Sequence, residues 1–138
     1  MQFEIFPTMQ DQKKVLIVED DMFIRDIYQV KFSNEGFMVF IAENGQEALD
    51  ILEKEIPDII LLDVLMPVMG GMETLKKIRE NELWGKIPII MLTNISEQDN
   101  MNNATDQGAD GYLVKAYFTP VEILEKVRAL IAKNDQNS

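Results

Sequence analysis

The 138-residue sequence contains no cysteine and no histidine, and a single tryptophan. Without cysteine there is no disulfide framework, no thiolate nucleophile and no thiolate-ligated metal. Without histidine, imidazole acid–base chemistry and the usual zinc sites are excluded. No run of 18 or more apolar residues occurs, so no membrane-spanning helix is expected. The opening MQFEIFPTMQDQ has neither a basic n-region nor an apolar h-region and is not read as a secretory signal. Positive charge is scarce as well. Lys and Arg number 13 against 24 Asp and Glu, a formal net charge of −11. Such a chain repels nucleic acid phosphates and carries no basic patch interleaved with aromatics, so direct nucleic acid binding is not expected. Most of the excess acid is read as ordinary solubilising surface charge. A soluble, cytoplasmic protein is expected, and any chemistry falls to carboxylates, lysine and hydroxyls.

What is present is a regular alternation. The hydrophobic content of 46% suits one compact domain. Strand candidates are VLIV (15–18), FMVFI (37–41), DIILL (58–62), IPIIML (87–92) and GYLV (111–114). Helix candidates lie between them at 22–35, with Phe23, Ile27 and Val30 as the apolar face, at 46–54 and at 72–82. A weak, polar one lies at 97–107 and the clearest at 121–133. Gly36 stands where the first should stop. Five strand–helix units predict an α/β fold: a doubly wound, five-stranded parallel sheet with helices on both faces. The uninterrupted aliphatic strands one, three and four belong in its centre. Residues 1–12 fall outside the pattern and are expected to form a flexible N-terminal extension, 13–134 the domain, and 135–138 a short tail.

In such a sheet, ligands bind beyond the carboxyl ends of the strands. Glu19, Asp20 and Asp21 follow the first strand, Asp63 the third, Thr93 the fourth and Lys115 the fifth. Asp20 and Asp21 have a plainer reading as caps of the first helix, preferred for Asp21. Thr93 also reads as a strand-end hydroxyl and Lys115 as a surface lysine. Taken together, several converging carboxylates need a cation between them, and a hard divalent ion such as Mg²⁺ answers that need. Mg²⁺ favours a phosphoryl oxygen as a further ligand, which Thr93 and Lys115 suit. A carboxylate beside such an ion can attack phosphorus, and Asp63, ending the run IILLD, is the candidate nucleophile.

VLIVEDD, LLDVLMPVMGG, PIIMLTN and GADGYLVKAYFTPVEIL, in that order, resemble the receiver domain of two-component response regulators over about residues 13–134. The resemblance implies a flavodoxin-like sheet of order 2-1-3-4-5. It makes Asp63 the phosphoacceptor, Asp20 a direct Mg²⁺ ligand, Glu19 a partner acting largely through water, and the main-chain carbonyl of Leu65 a further ligand. Thr93 and Lys115 would bind the phosphoryl group, and Tyr112 would be the aromatic that turns inward on activation. It implies a phosphoryl donor, a sensor histidine kinase or histidine phosphotransfer protein. It also implies a downstream protein target or linked output domain, met by the fourth and fifth predicted helices and the fifth strand. Such a chain catalyses its own phosphotransfer and slow dephosphorylation without being a turnover enzyme. Either a stand-alone receiver or a piece of a larger regulator fits.

The departures carry expectations too. Lys115 is followed by Ala116 where the family usually has proline, so a trans peptide is expected. Asn94 narrows the approach to Asp63. Leu65 and Ile95 occupy the two positions that steer a hydrolytic water, and being apolar they predict a long-lived phosphoryl state. Leu65 also argues against a haloacid-dehalogenase-type phosphatase, which needs an aspartate there. Glu19, Asp20 and Asp21 argue against an FMN-binding flavodoxin, whose phosphate they would repel. An interaction module with this fold that is never phosphorylated remains the alternative.

Overall fold

The computed structural model describes residues 12–94, 104–105 and 107–137. The expected extension up to residue 11, Ile95, and most of the helix predicted at 97–107 lie outside the described residues.

Five parallel strands form one sheet: β1 (Lys14–Val18), β2 (Met38–Ala42), β3 (Ile59–Asp63), β4 (Ile89–Thr93) and β5 (Gly111–Val114). Their order is β2-β1-β3-β4-β5. The described helices are α1 (Met22–Asn34), α2 (Gly45–Leu52), α3 (Gly71–Glu80) and α4 (Pro120–Gln136), the last being the helix predicted at 121–133. The five-stranded parallel sheet with helices on both faces is the predicted architecture. No described helix is long and apolar enough to cross a membrane.

The aliphatic runs form central strands because every side chain on them finds a dry partner. In β3, Ile60 and Leu62 join Leu16, Met91, Leu75 and Ile78 under α2 and α3. Ile59 and Leu61 face the other way, onto Tyr28 and Phe32 of α1 and Ile123 and Val127 of α4. Hiding such a side chain contributes roughly 1.5–3 kcal/mol. Two-sided burial therefore makes the strand's end a rigid mount.

One expectation fails. Phe23, Ile27 and Val30 are largely exposed, and α1 buries Tyr28 and Phe32 instead, with Ile24 partly covered. The helix carries two apolar stripes about one residue, or 100°, apart. Its start is closed by the Asp21 cap, whose side chain accepts the Phe23 and Ile24 N–H groups at 2.9 and 3.2 Å. Packing against the sheet and α4 turns the bulkier aromatic pair inward. At the other end, Gly36 takes φ +92°, which ends the helix and turns the chain into β2. α4 starts on a capping box in which Thr119 and Glu122 satisfy each other's backbone N–H groups.

Candidate functional site: a carboxylate cluster at the carboxyl edge of the sheet

Strand register assembles the site. Val18 pairs with Leu62, Asp63 with Leu92, and Thr93 with Val114. The residues that end or follow β1, β3, β4 and β5 thus stand side by side. Asp63 and Thr93 are the last residues of their strands, one position further inside the sheet than the sequence ranges placed them.

Glu19 and Asp63 are buried, whereas Asp20 is exposed. One carboxylate oxygen from each of the three lies within 4.8 Å of the others. Hard oxygen donors so close together repel unless a cation shares them, which suits Mg²⁺. Leu65, two residues beyond Asp63 in the turn after β3, is half-exposed.

Lys115, almost buried, reaches into the cluster from the end of β5. Its Nζ lies 2.6 Å from Glu19 Oε1 and 3.1 Å from Asp63 Oδ1. The second oxygen of Glu19 accepts the Asp21 N–H at 3.2 Å. Burial, the hydrogen bond with Glu19 and the Glu19 charge push the Asp63 pKa up to about 8, against the pull of Lys115. Burial acts to lower the Lys115 pKa, but bonding to Glu19 and the charge of Asp63 outweigh it and hold the ammonium above its ordinary value. One lysine shared between two buried carboxylates does not offset both charges, so Asp63 holds its proton well above the usual carboxylate range.

Thr93 is wholly buried, and its hydroxyl donates to the Asn94 carbonyl at 3.2 Å. Tyr112 on β5 is partly buried against the core under α2 and α3. The structure has no cis peptide among its described residues, so Lys115–Ala116 is trans as expected, and it opens a single 3-10 turn, Lys115–Tyr117. Asn94, Lys115, Ala116, Ile27 and Tyr28 line a groove of about 750 Å³ between α1 and the loop after β5. Asp21 is the helix cap that the plainer reading made it.

Three features escaped the sequence reading. Gly71 follows Asp63 so closely in space that a Cβ on it would collide with the Asp63 carbonyl oxygen. The pair Gly70-Gly71 was the available signal. Tyr28 feels the site: burial raises its phenol pKa, Lys115 opposes, and Glu19 and Asp63 add to the rise. Arg25 donates from Nη1 to the Glu19 and Asp20 carbonyls, and nothing in the sequence distinguished it from a surface arginine.

Comparison with known proteins agrees with this geometry. The response regulator receiver domain model matches residues 15–128. A probable transcriptional regulator ycf27 of Guillardia theta is 34% identical over 128 residues, covering 93% of this chain and 49% of the relative. The chain spans about half the length of the curated relatives it matches. A CheY-like receiver domain protein of Methanospirillum hungatei superposes with a TM-score of 0.85 at 31% identity, covering 92% of this chain and 99% of that one. The receiver domain of sensor histidine kinase PA1611 of Pseudomonas aeruginosa superposes at 0.79 with 27% identity, covering 88% and 98%. That structure is described with a magnesium ion coordinated in its active-site cleft. Matched in sequence along most of its length and in fold throughout the sheet, the chain belongs to the response regulator receiver domain family of two-component signalling.

Proposed function

We propose that this domain is a phosphorylation switch whose acceptor is Asp63. The observation that carries the reading is the convergence of Glu19, Asp20 and Asp63 within 4.8 Å, with the Lys115 ammonium 3.1 Å from Asp63. Asp20, Asp63 and the Leu65 main-chain carbonyl would hold Mg²⁺, with Glu19 close by through water. The ion would supply positive charge against the incoming phosphoryl oxygens and would favour the ionised form of Asp63, its proton passing to solvent, where the raised pKa otherwise keeps a neutral carboxyl.

An Asp63 carboxylate oxygen attacks phosphorus in line. The P–N bond to a donor phosphohistidine breaks, and its electron pair leaves on the imidazole nitrogen, which takes up a proton. These 138 residues hold no histidine, so the donor histidine lies outside them, on a sensor kinase or a phosphotransfer module. The exposed stripe Phe23, Ile27 and Val30, next to the groove that leads to Lys115, gives such a donor an apolar footing.

The product carries nearly one more negative charge and three strong acceptor oxygens. Lys115 then has a better partner than Glu19, and the Thr93 hydroxyl leaves the Asn94 carbonyl for a phosphoryl oxygen. That movement carries Asn94 at the end of β4 with it and makes room for Tyr112 to turn inward. The change is read by a target protein or output domain on the face formed by the segment after β4, β5 and α4. The half-exposed, apolar Leu65 offers nothing to orient water, so loss of the phosphoryl group is slow.

The test is incubation with acetyl phosphate, or with beryllofluoride, in the presence of Mg²⁺. The wild-type chain gains the mass of one phosphoryl group or binds the analogue, and Asp63→Asn does neither. A wild type that takes up nothing under these conditions leaves an unphosphorylated interaction module as the surviving description.

A further inference from the structure

Arg25 sits near the start of α1, yet its side chain is only 13% exposed, unusual burial for an arginine. Its Nη1 donates to the Glu19 carbonyl at 3.1 Å and, at a longer 3.5 Å, to the Asp20 carbonyl. Those two carbonyls belong to the peptide units on either side of Asp20. Together the two units fix the direction of the Asp20 Cα–Cβ bond. The same nitrogen lies 3.5 Å from Glu43 Oε1, in the loop after β2. Asp20 itself is exposed, and among the described residues its side chain makes no hydrogen bond that would orient it. Its aim therefore depends on the backbone that Arg25 holds.

We propose that Arg25 is a positioning residue for the acid pair. It locks the β1–α1 turn so that the Asp20 carboxylate meets those of Glu19 and Asp63 where a divalent cation binds. The inference rests on the proposed Mg²⁺ role of that cluster. A bare charge effect would act the other way, because a cation beside a metal site repels the metal. Glu43 offsets that charge, while charge-assisted bonds to the carbonyls hold the geometry. Position therefore outweighs repulsion.

The experiment is an Mg²⁺ titration of the full chain by isothermal calorimetry without phosphoryl donor, paired with thermal melts with and without Mg²⁺. Arg25→Met keeps the apolar stem and removes the donors. Arg25→Lys keeps the charge but lacks the reach to both carbonyls, and it guards against a Met variant that does not fold. Both are expected to bind Mg²⁺ about tenfold more weakly, the low end of the range for removing a group that orients a metal ligand. The rise in Tm caused by Mg²⁺ shrinks in step, a split that mere loss of stability would not produce. Unchanged or tighter Mg²⁺ binding in the folded variants, beside a wild type that binds, overturns this inference alone. A wild type that binds no Mg²⁺ overturns the proposed function and this inference with it.

Discussion

Val68 is the one non-glycine residue with positive φ among the described residues, at 67°. It stands in the turn after Asp63, and its side chain is 81% exposed. A β-branched residue in the left-handed region costs roughly 1–2 kcal/mol, and here no packing repays it. Asparagine tolerates that conformation, so Val68→Asn is expected to stabilise the domain by about 0.5–1 kcal/mol in urea denaturation. A neutral or destabilising result would show that the valine makes a contact worth more than its strain. Asp63 supports a second prediction. Its pKa is raised in the folded state from the ordinary 3.8 to about 8. The folded chain therefore holds a proton between those values that the unfolded chain has released. The stability this contributes is complete below about pH 4 and is lost as the pH rises through about 8. Asp63→Asn removes the dependence. In buffer free of divalent cations, its stability advantage over wild type should be larger near pH 8 than near pH 5, by about 1–3 kcal/mol. Equal differences at the two pH values would contradict the buried, unneutralised carboxyl described here.

The elements around the site tolerate little displacement. The start of α3 lies against β3 because Gly71 has no side chain to meet the Asp63 carbonyl. The Asp63 backbone is held in register with Leu92 of β4, so it has little room to yield. Gly71→Ala is expected to cost about 1–3 kcal/mol despite the lower entropy of the unfolded alanine chain, and to slow phosphorylation of Asp63. Urea denaturation and the rate of the acetyl phosphate reaction measure the two effects. A variant as stable and as reactive as wild type would mean that α3 is free to move away. Glycine at 45 has a similar role, since a Cβ there would collide with Thr74 Oγ1 and join α2 to α3 less closely.

Across the molecule, the two ends of the sheet are chemically unlike. The carboxyl edge collects the buried charges, whereas the opposite edge holds Trp84, buried between α3 and β4, with its backbone N–H donating to Asn81 Oδ1 at 3.2 Å. Arg79 ties that edge together, donating to the Gly108 and Ile87 carbonyls at 2.8 Å each and pairing with Asp110 at 3.0 Å. Trp84 is therefore a poor reporter of the site. Its emission should stay nearly constant when Mg²⁺ or beryllofluoride is added. A strong quench by Mg²⁺ alone would place the tryptophan closer to the cation than the fold allows.

The linear order of residues was enough to read a parallel α/β architecture, while the strand order followed from the family resemblance. Aliphatic runs in β1, β3 and β4 need burial on both faces, and such runs in alternation with helices admit one kind of sheet. Parallel strands must align their carboxyl ends, which carries Glu19, Asp20, Asp63, Thr93 and Lys115 to one edge. Folding in three dimensions settled what periodicity leaves open. α1 carries two apolar stripes, and only its packing against β1, β2 and α4 chooses Tyr28 and Phe32 over Phe23, Ile27 and Val30 for the core. Likewise, whether Arg25 lies in solvent or beneath Asp20 depends on where the turn after β1 places two carbonyls. Unlike a helix cap, the Arg25 bonds to these two carbonyls leave no trace in residue type, whereas burial of aliphatic side chains does.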